Sequence, residues 1–226
     1  MGMLYVIGIL FAGIGMLVQW QLKSKIKKYS EITLLNHLSG REIAEKMLRS
    51  NGIMDVKIIS VTGQLTDHYN PGNKTVNLSH DVYHGRNAAS AAIAAHECGH
   101  AIQHQVAYPF LGMRSSLVPV VNIAASVLPW ILMIGVFLIQ QVPELLLLAI
   151  IAQAAITLFT LITLPVEFDA SRRAMEWMQE SGIVVAQEYA AARDALKWAA
   201  MTYVVAALAA VAQLVYLISR YSGRRS

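Results

Sequence analysis

Four long stretches of this chain carry no charged side chain, and they limit what it can fold into more than any other feature. They run Met1–Leu22, Leu117–Ile139, Leu145–Val166 and Trp198–Ile218. Each is about the 20 residues an α-helix needs to cross a hydrocarbon core about 30 Å thick. A soluble core could surround four such helices only in a much larger protein, and 226 residues are too few. Composition agrees, with 56% hydrophobic and 14% charged residues, where a soluble domain carries roughly a quarter charged. The apolar content also excludes a disordered chain. Cys98 is the single cysteine, which excludes a disulfide-stapled scaffold. The expected class is mainly α: an integral membrane protein with about four transmembrane helices, at about 3–22, 117–139, 145–166 and 198–218, and a small α+β insert.

Charge sets the expected topology. Lys23, Lys25, Lys27 and Lys28 follow the first run rather than precede it, as in an uncleaved anchor and unlike a signal peptide. With four spans, residues 23–116 and 167–197 share one side. That side also holds Arg114, Arg172, Arg173, Arg193 and Lys197 near the membrane, against Arg220, Arg224 and Arg225 on the other. The positive-inside rule puts the lysine-rich side in the cytoplasm and the N-terminus outside.

The polar insert, 23–116, is the part large enough to fold outside the bilayer. Ser39-Gly40-Arg41-Glu42 is a capping box opening a helix that stops near Gly52. Val56–Val61 is β-prone, and Asn70-Pro71-Gly72-Asn73 predicts a hairpin between two polar strands. Asn87 or Ser90 then caps an alanine-rich helix.

That helix carries His96-Glu97-Cys98-Gly99-His100. Four residues is slightly more than one turn, so both imidazoles leave the same face and can offer nitrogens to one Zn²⁺. Buried histidines on so apolar a helix need a partner, and zinc supplies one. Glu97, beside the first ligand, can move a proton from a metal-activated water to a leaving amine. A catalytic zinc usually has a third protein ligand. Gln103 and Val106 stand where another protease pattern requires Gly and His, so that pattern fails. His104 lies about 12 Å along the axis from His96, too far to share the ion, and is a candidate support for the ligands. Glu144 falls on the opposite side of the membrane. Glu167, directly after the third run, lies on the same side as the histidines and is the expected third ligand. Asp169 is its rival, since a helix turns the two about 200° apart. His68, Tyr69 and Arg173 are candidate donors to the oxyanion of a tetrahedral intermediate.

Five stretches carry a resemblance over nearly the whole chain: Leu65–Tyr69, Leu78-Ser79, Ala94–Gln103, Arg114–Pro119 and Leu164–Ala174. They resemble the bacterial membrane-bound neutral zinc metallopeptidase family, the YugP-like group. The resemblance implies a zincin-like cytoplasmic insert in a multi-pass protein of the bacterial cell membrane. It also implies one zinc ion on His96 and His100, and catalysis by Glu97. A looser similarity runs to the HtpX-like and prenyl-protein membrane proteases. In those, a ligand Glu opens a helix and an Asp four residues later supports the site. Glu167 matches the Glu, but Ser171 stands at the Asp position, which leaves Ser171 and Asp169 as candidate supports.

The expected function is therefore a zinc-dependent membrane endopeptidase, gluzincin-like, acting on a peptide or protein substrate with the lipid bilayer as its other partner. The alternative is a non-catalytic scaffold whose zinc is closed off by a fourth ligand, Asp169 or His68. A transporter would need ionisable residues in the spans, and there are none. The basic residues lie at membrane edges without aromatic interleaving, so no nucleic-acid partner is expected.

Overall fold

The computed structural model describes residues 2–138 and 144–223. The expected turn at 140–144 lies outside the described residues except for Glu144, as do Ile139, Arg224 and Arg225. The elements are α1 (Gly2–Ser30), α2 (Gly40–Ser50), β1 (Lys57–Val61), β2 (His68–Asn70), β3 (Thr75–Ser79), α3 (His80–His84), α4 (Ala88–Gln105), α5 (Pro109–Leu138), α6 (Glu144–Glu180) and α7 (Ala186–Ser222). Among the described residues, α1, α5, α6 and α7 are long and apolar enough to cross a membrane. The protein is thus a mainly α-helical, multi-pass membrane protein with a small mixed insert.

The chain divides into two compact units. One comprises Met1–Leu17, Gly112–Pro165 and Thr202–Ser226. Leu4, Leu128, Leu146, Ala149 and Leu217 pack together in it. Two of its buried polar side chains are satisfied internally: Gln153 Nε2 donates to the Ala210 carbonyl at 3.1 Å, and Thr157 Oγ1 donates to the Gln153 carbonyl at 2.8 Å. An apolar medium offers such groups no water, so this pairing is required there.

The other unit comprises Val18–Leu111 and Val166–Met201. Its α2 starts on the capping box: Ser39 Oγ accepts from the Glu42 N–H at 3.3 Å, and the Ser39 N–H donates to the Glu42 carboxylate at 2.7 Å. The sheet order is β1-β3-β2. β2 and β3 form the expected hairpin, antiparallel with His68 opposite Asn77 and Asn70 opposite Thr75. β1 runs parallel to β3, from Lys57 opposite Thr75 to Val61 opposite Ser79. β3 differs from the polar strand expected, because all five of its residues are buried. As the central strand it has both edges paired, and its polar side chains find partners. Thr75 Oγ1 donates to Asn73 at 2.6 Å, Asn77 Nδ2 donates to the His68 carbonyl at 3.2 Å, and Ser79 bonds Asp67. Leu34, Ile43, Met47, Val76, Leu78, Cys98 and Met178 form the core. α4 crosses it, capped by Asn87, whose side-chain oxygen accepts from the Ser90 N–H at 2.9 Å.

Candidate metal centre

Alanine makes α4 a good helix and a thin one, so neighbours approach its backbone closely. One such approach is at Gly99. A Cβ there would stand 2.6 Å from the Ala170 carbonyl oxygen and 3.0 Å from its Cα. Glycine in a helix interior costs about 1 kcal/mol relative to alanine, and here it lets α6 lie against α4. Glu167, three residues before Ala170, is carried onto the histidine face of α4.

The result is one cluster, in which His100 and Glu167 are buried and His96 is half-buried. Glu167 Oε2 is 3.3 Å from His96 Nε2 and 3.6 Å from His100 Nε2. The three residues each offer a ligand atom, all within 4.8 Å of one another. Two ligands on a tetrahedral zinc with bonds of about 2.0–2.1 Å stand about 3.3 Å apart, so this donor set fits the ion in spacing as well as chemistry. It fits in charge too. Burial disfavours the His100 imidazolium, yet the adjoining Glu167 carboxylate reverses this and raises the ring's pKa. The pocket therefore favours positive charge.

The other imidazole nitrogens are held. His96 Nδ1 is 3.1 Å from Ser171 Oγ, and His100 Nδ1 is 3.0 Å from Gln103 Oε1. A glutamine oxygen only accepts, so Nδ1 of His100 carries a proton and Nε2 is the nitrogen left facing the cluster. Gln103 is fully buried and spends its two N–H donors on α6: the Val166 carbonyl at 2.8 Å and Asp169 Oδ2 at 2.9 Å. Asp169 also receives Arg173 Nε at 2.6 Å and pairs with Arg172. It faces these cations, and Glu167 faces the rings.

Glu97 is buried beside the first ligand, and burial pushes its carboxyl up despite the neighbouring imidazoles. The remaining candidates lie elsewhere in this unit. His68 is exposed on β2, with Nδ1 2.8 Å from the Thr66 carbonyl. Tyr69 OH is 2.8 Å from Nδ1 of the exposed His104. The Arg173 guanidinium pairs with Asp169 and lies 6.0 Å from the Tyr108 ring centroid. None of these four side chains bonds to the His96–His100–Glu167 cluster.

Two residues that matter here are not singled out by sequence reasoning. Gln103 stands three residues after His100, a buried amide on an apolar helix, and that position was the available signal. Gly99 lies inside the motif, but only the partner helix gives it meaning.

Comparison with known proteins agrees with the geometry. The family model described as "Putative neutral zinc metallopeptidase" matches residues 4–222. A relative from Bacillus subtilis (strain 168), named "Putative membrane protease YugP", is 40% identical over 206 residues, covering 91% of each chain. No solved structure matches significantly. With a two-histidine, one-carboxylate site buried where the motif predicts and a family match over almost its full length, the chain belongs to the neutral zinc metallopeptidase family.

Proposed function

We propose that the protein is a zinc-dependent endopeptidase, a single metallopeptidase domain whose site lies at the cytoplasmic face of the membrane with the N-terminus outside. The observation that carries the reading is the buried His96–His100–Glu167 cluster with Glu97 next to it. The excess of Lys and Arg on residues 23–116 and 167–197 supports the orientation.

In this reading His96, His100 and Glu167 would hold the ion, while Gln103 and Ser171 fix the two rings through their Nδ1 atoms. Zinc, when bound, polarises the scissile carbonyl and lowers the pKa of a water molecule. Glu97 takes a proton from the attacking water as the water's oxygen bonds to the carbonyl carbon. It then delivers the proton to the amide nitrogen as the C–N bond breaks. A raised carboxyl suits a group that must both accept and return a proton near neutral pH. Of the three candidate oxyanion donors, Tyr69 and Arg173 are already engaged, and His68 Nε2 has no partner among the described residues.

Glu97→Gln tests this. Expected is a full chain that retains stoichiometric zinc and loses hydrolysis of a denatured protein substrate by at least about a hundredfold, the scale of general acid–base catalysis. Undiminished hydrolysis would remove Glu97 from the mechanism.

A further inference from the structure

Among residues 88–103 of α4 only Ile93 and His96 are not buried. They are three residues apart, and Glu97 is four from Ile93, so all three share one helical face. Ile93 also lines a cavity of about 540 Å³ in the same unit, with Ala89 and Ser90 one turn further back. That volume lies within the range of ligand pockets. Ile93, which lines the cavity, thus stands about 6 Å along the helix axis from the proposed base.

Residues of α1 line the cavity as well, Lys23, Ile26 and Lys27 among them. The two lysines are one turn apart. Lys25, between them, pairs with Asp194 at 2.8 Å, but among the described residues neither Lys23 nor Lys27 makes an ion pair. The cavity's own carboxylates do not neutralise them. Asp67 is committed to Ser79, accepting from its N–H at 2.7 Å and its hydroxyl at 3.2 Å. The Asp81 side chain is 73% exposed at the rim. The cavity thus combines apolar lining from Ile26, Val82, Ala89 and Ile93 with two lysines that make no ion pair among the described residues.

We propose that this cavity seats the part of an extended peptide substrate that flanks the scissile bond, with an apolar side chain on Ile93 and a carboxylate at Lys23 and Lys27. The inference rests on the endopeptidase reading above. It adds a substrate class: peptides bearing a carboxylate at a fixed short distance, on one side of the bond.

The test uses the full zinc-loaded chain carrying Glu97→Gln, in nanodiscs of phosphatidylcholine with and without phosphatidylglycerol. The probe is a randomised decapeptide library, in free-acid and C-terminally amidated forms, with retained peptides sequenced. The expected result is enrichment of Asp and Glu at one position. Loss of retention on amidation, with no acidic position enriched in either arm, would place a chain terminus at the lysines and overturn the proposal. Lys23→Glu with Lys27→Glu should cut the enrichment about tenfold, as attraction becomes repulsion, and Ile93→Trp should abolish the apolar preference. Retained zinc reports that each variant is folded, and Lys23→Gln with Lys27→Gln replaces the reversal if zinc is lost. Acid enrichment absent from the parent, or unchanged by the lysine variants, overturns the proposal. So does an effect confined to the phosphatidylglycerol nanodiscs, which would assign the lysines to lipid headgroups. Cleavage of the same library by the unsubstituted chain is scored separately. No cleavage with lysine-dependent binding sinks the peptidase reading and keeps the cavity, and cleavage with lysine-independent binding does the reverse.

Discussion

The two halves of α6 use polar side chains in opposite ways. Before Pro165, hydroxyls turn back on the helix itself: Thr157 Oγ1 donates to the Gln153 carbonyl, Thr160 to Thr157 and Thr163 to Phe159, each at 2.8 Å. After Pro165, Glu167, Asp169 and Ser171 reach side chains of α4. The first half has only to hide polar atoms from an apolar medium. The second places them where another helix needs a donor or an acceptor. Polarity in the same rod is camouflage at one end and machinery at the other, and substitutions should separate the two.

The largest effect is expected at the contact that brings the second half into place. Gly99→Leu must displace the Ala170 backbone, so stoichiometric zinc should be lost, with overpacking costing about 1–3 kcal/mol. Metal content and thermal melting of the purified chain check this. Zinc retained in full would mean that the α4–α6 contact does not set the ligand geometry. Next comes Gln103→Ala, which frees the His100 ring and removes one donor each from the Val166 carbonyl and Asp169. Zinc affinity should fall about 10–100-fold, measured by competition with a chelator, and Gln103→Glu should recover part of it because a carboxylate can still accept from Nδ1. Smaller still is Thr157→Val in the first half. Stability should fall by about 0.6 kcal/mol, with zinc affinity unchanged. An altered affinity would blur the contrast between the halves.

The smallest effect concerns pH and lies outside α6. The Ser39 hydroxyl and N–H donate to Glu42, and Arg86 adds its charge, so the Glu42 carboxyl sits below its ordinary value of 4.5. A depressed carboxylate stabilises the fold above its unfolded pKa, and that contribution is lost as pH falls through the lower folded value. Stability of the parent chain should therefore drop relative to Glu42→Gln as pH is taken below about 4.5. Identical acid profiles would show that the capping box adds nothing through its charge.

Much of this was legible in the sequence, because it is local. The apolar runs, the Ser39–Glu42 box, the Asn-Pro-Gly-Asn turn and the His96–His100 spacing each lie within a few turns of chain. Glu167 was legible for a different reason: a membrane forces residues onto one side or the other and leaves few acids to choose from. What stayed hidden depends on partners distant in sequence. Gly99 reads as a flaw in a helix until Ala170 is seen against it. Gln103 reads as the failure of another ligand pattern, although its value lies in three bonds, two of which reach α6. The parallel pairing of β1 with β3, which buries a strand that reads as polar, is likewise absent from any local window.

Cys98 stands between the two histidines, yet its thiol is turned into the core, 3.6 Å from the Ala44 carbonyl, and burial pushes its pKa well up. A sulfur so placed is a poor target for maleimides. The natural chain is therefore close to a cysteine-less background as it stands. Single reporters introduced at either end of a span could be alkylated from one face of a sealed vesicle, deciding the orientation of the whole molecule without disturbing its centre.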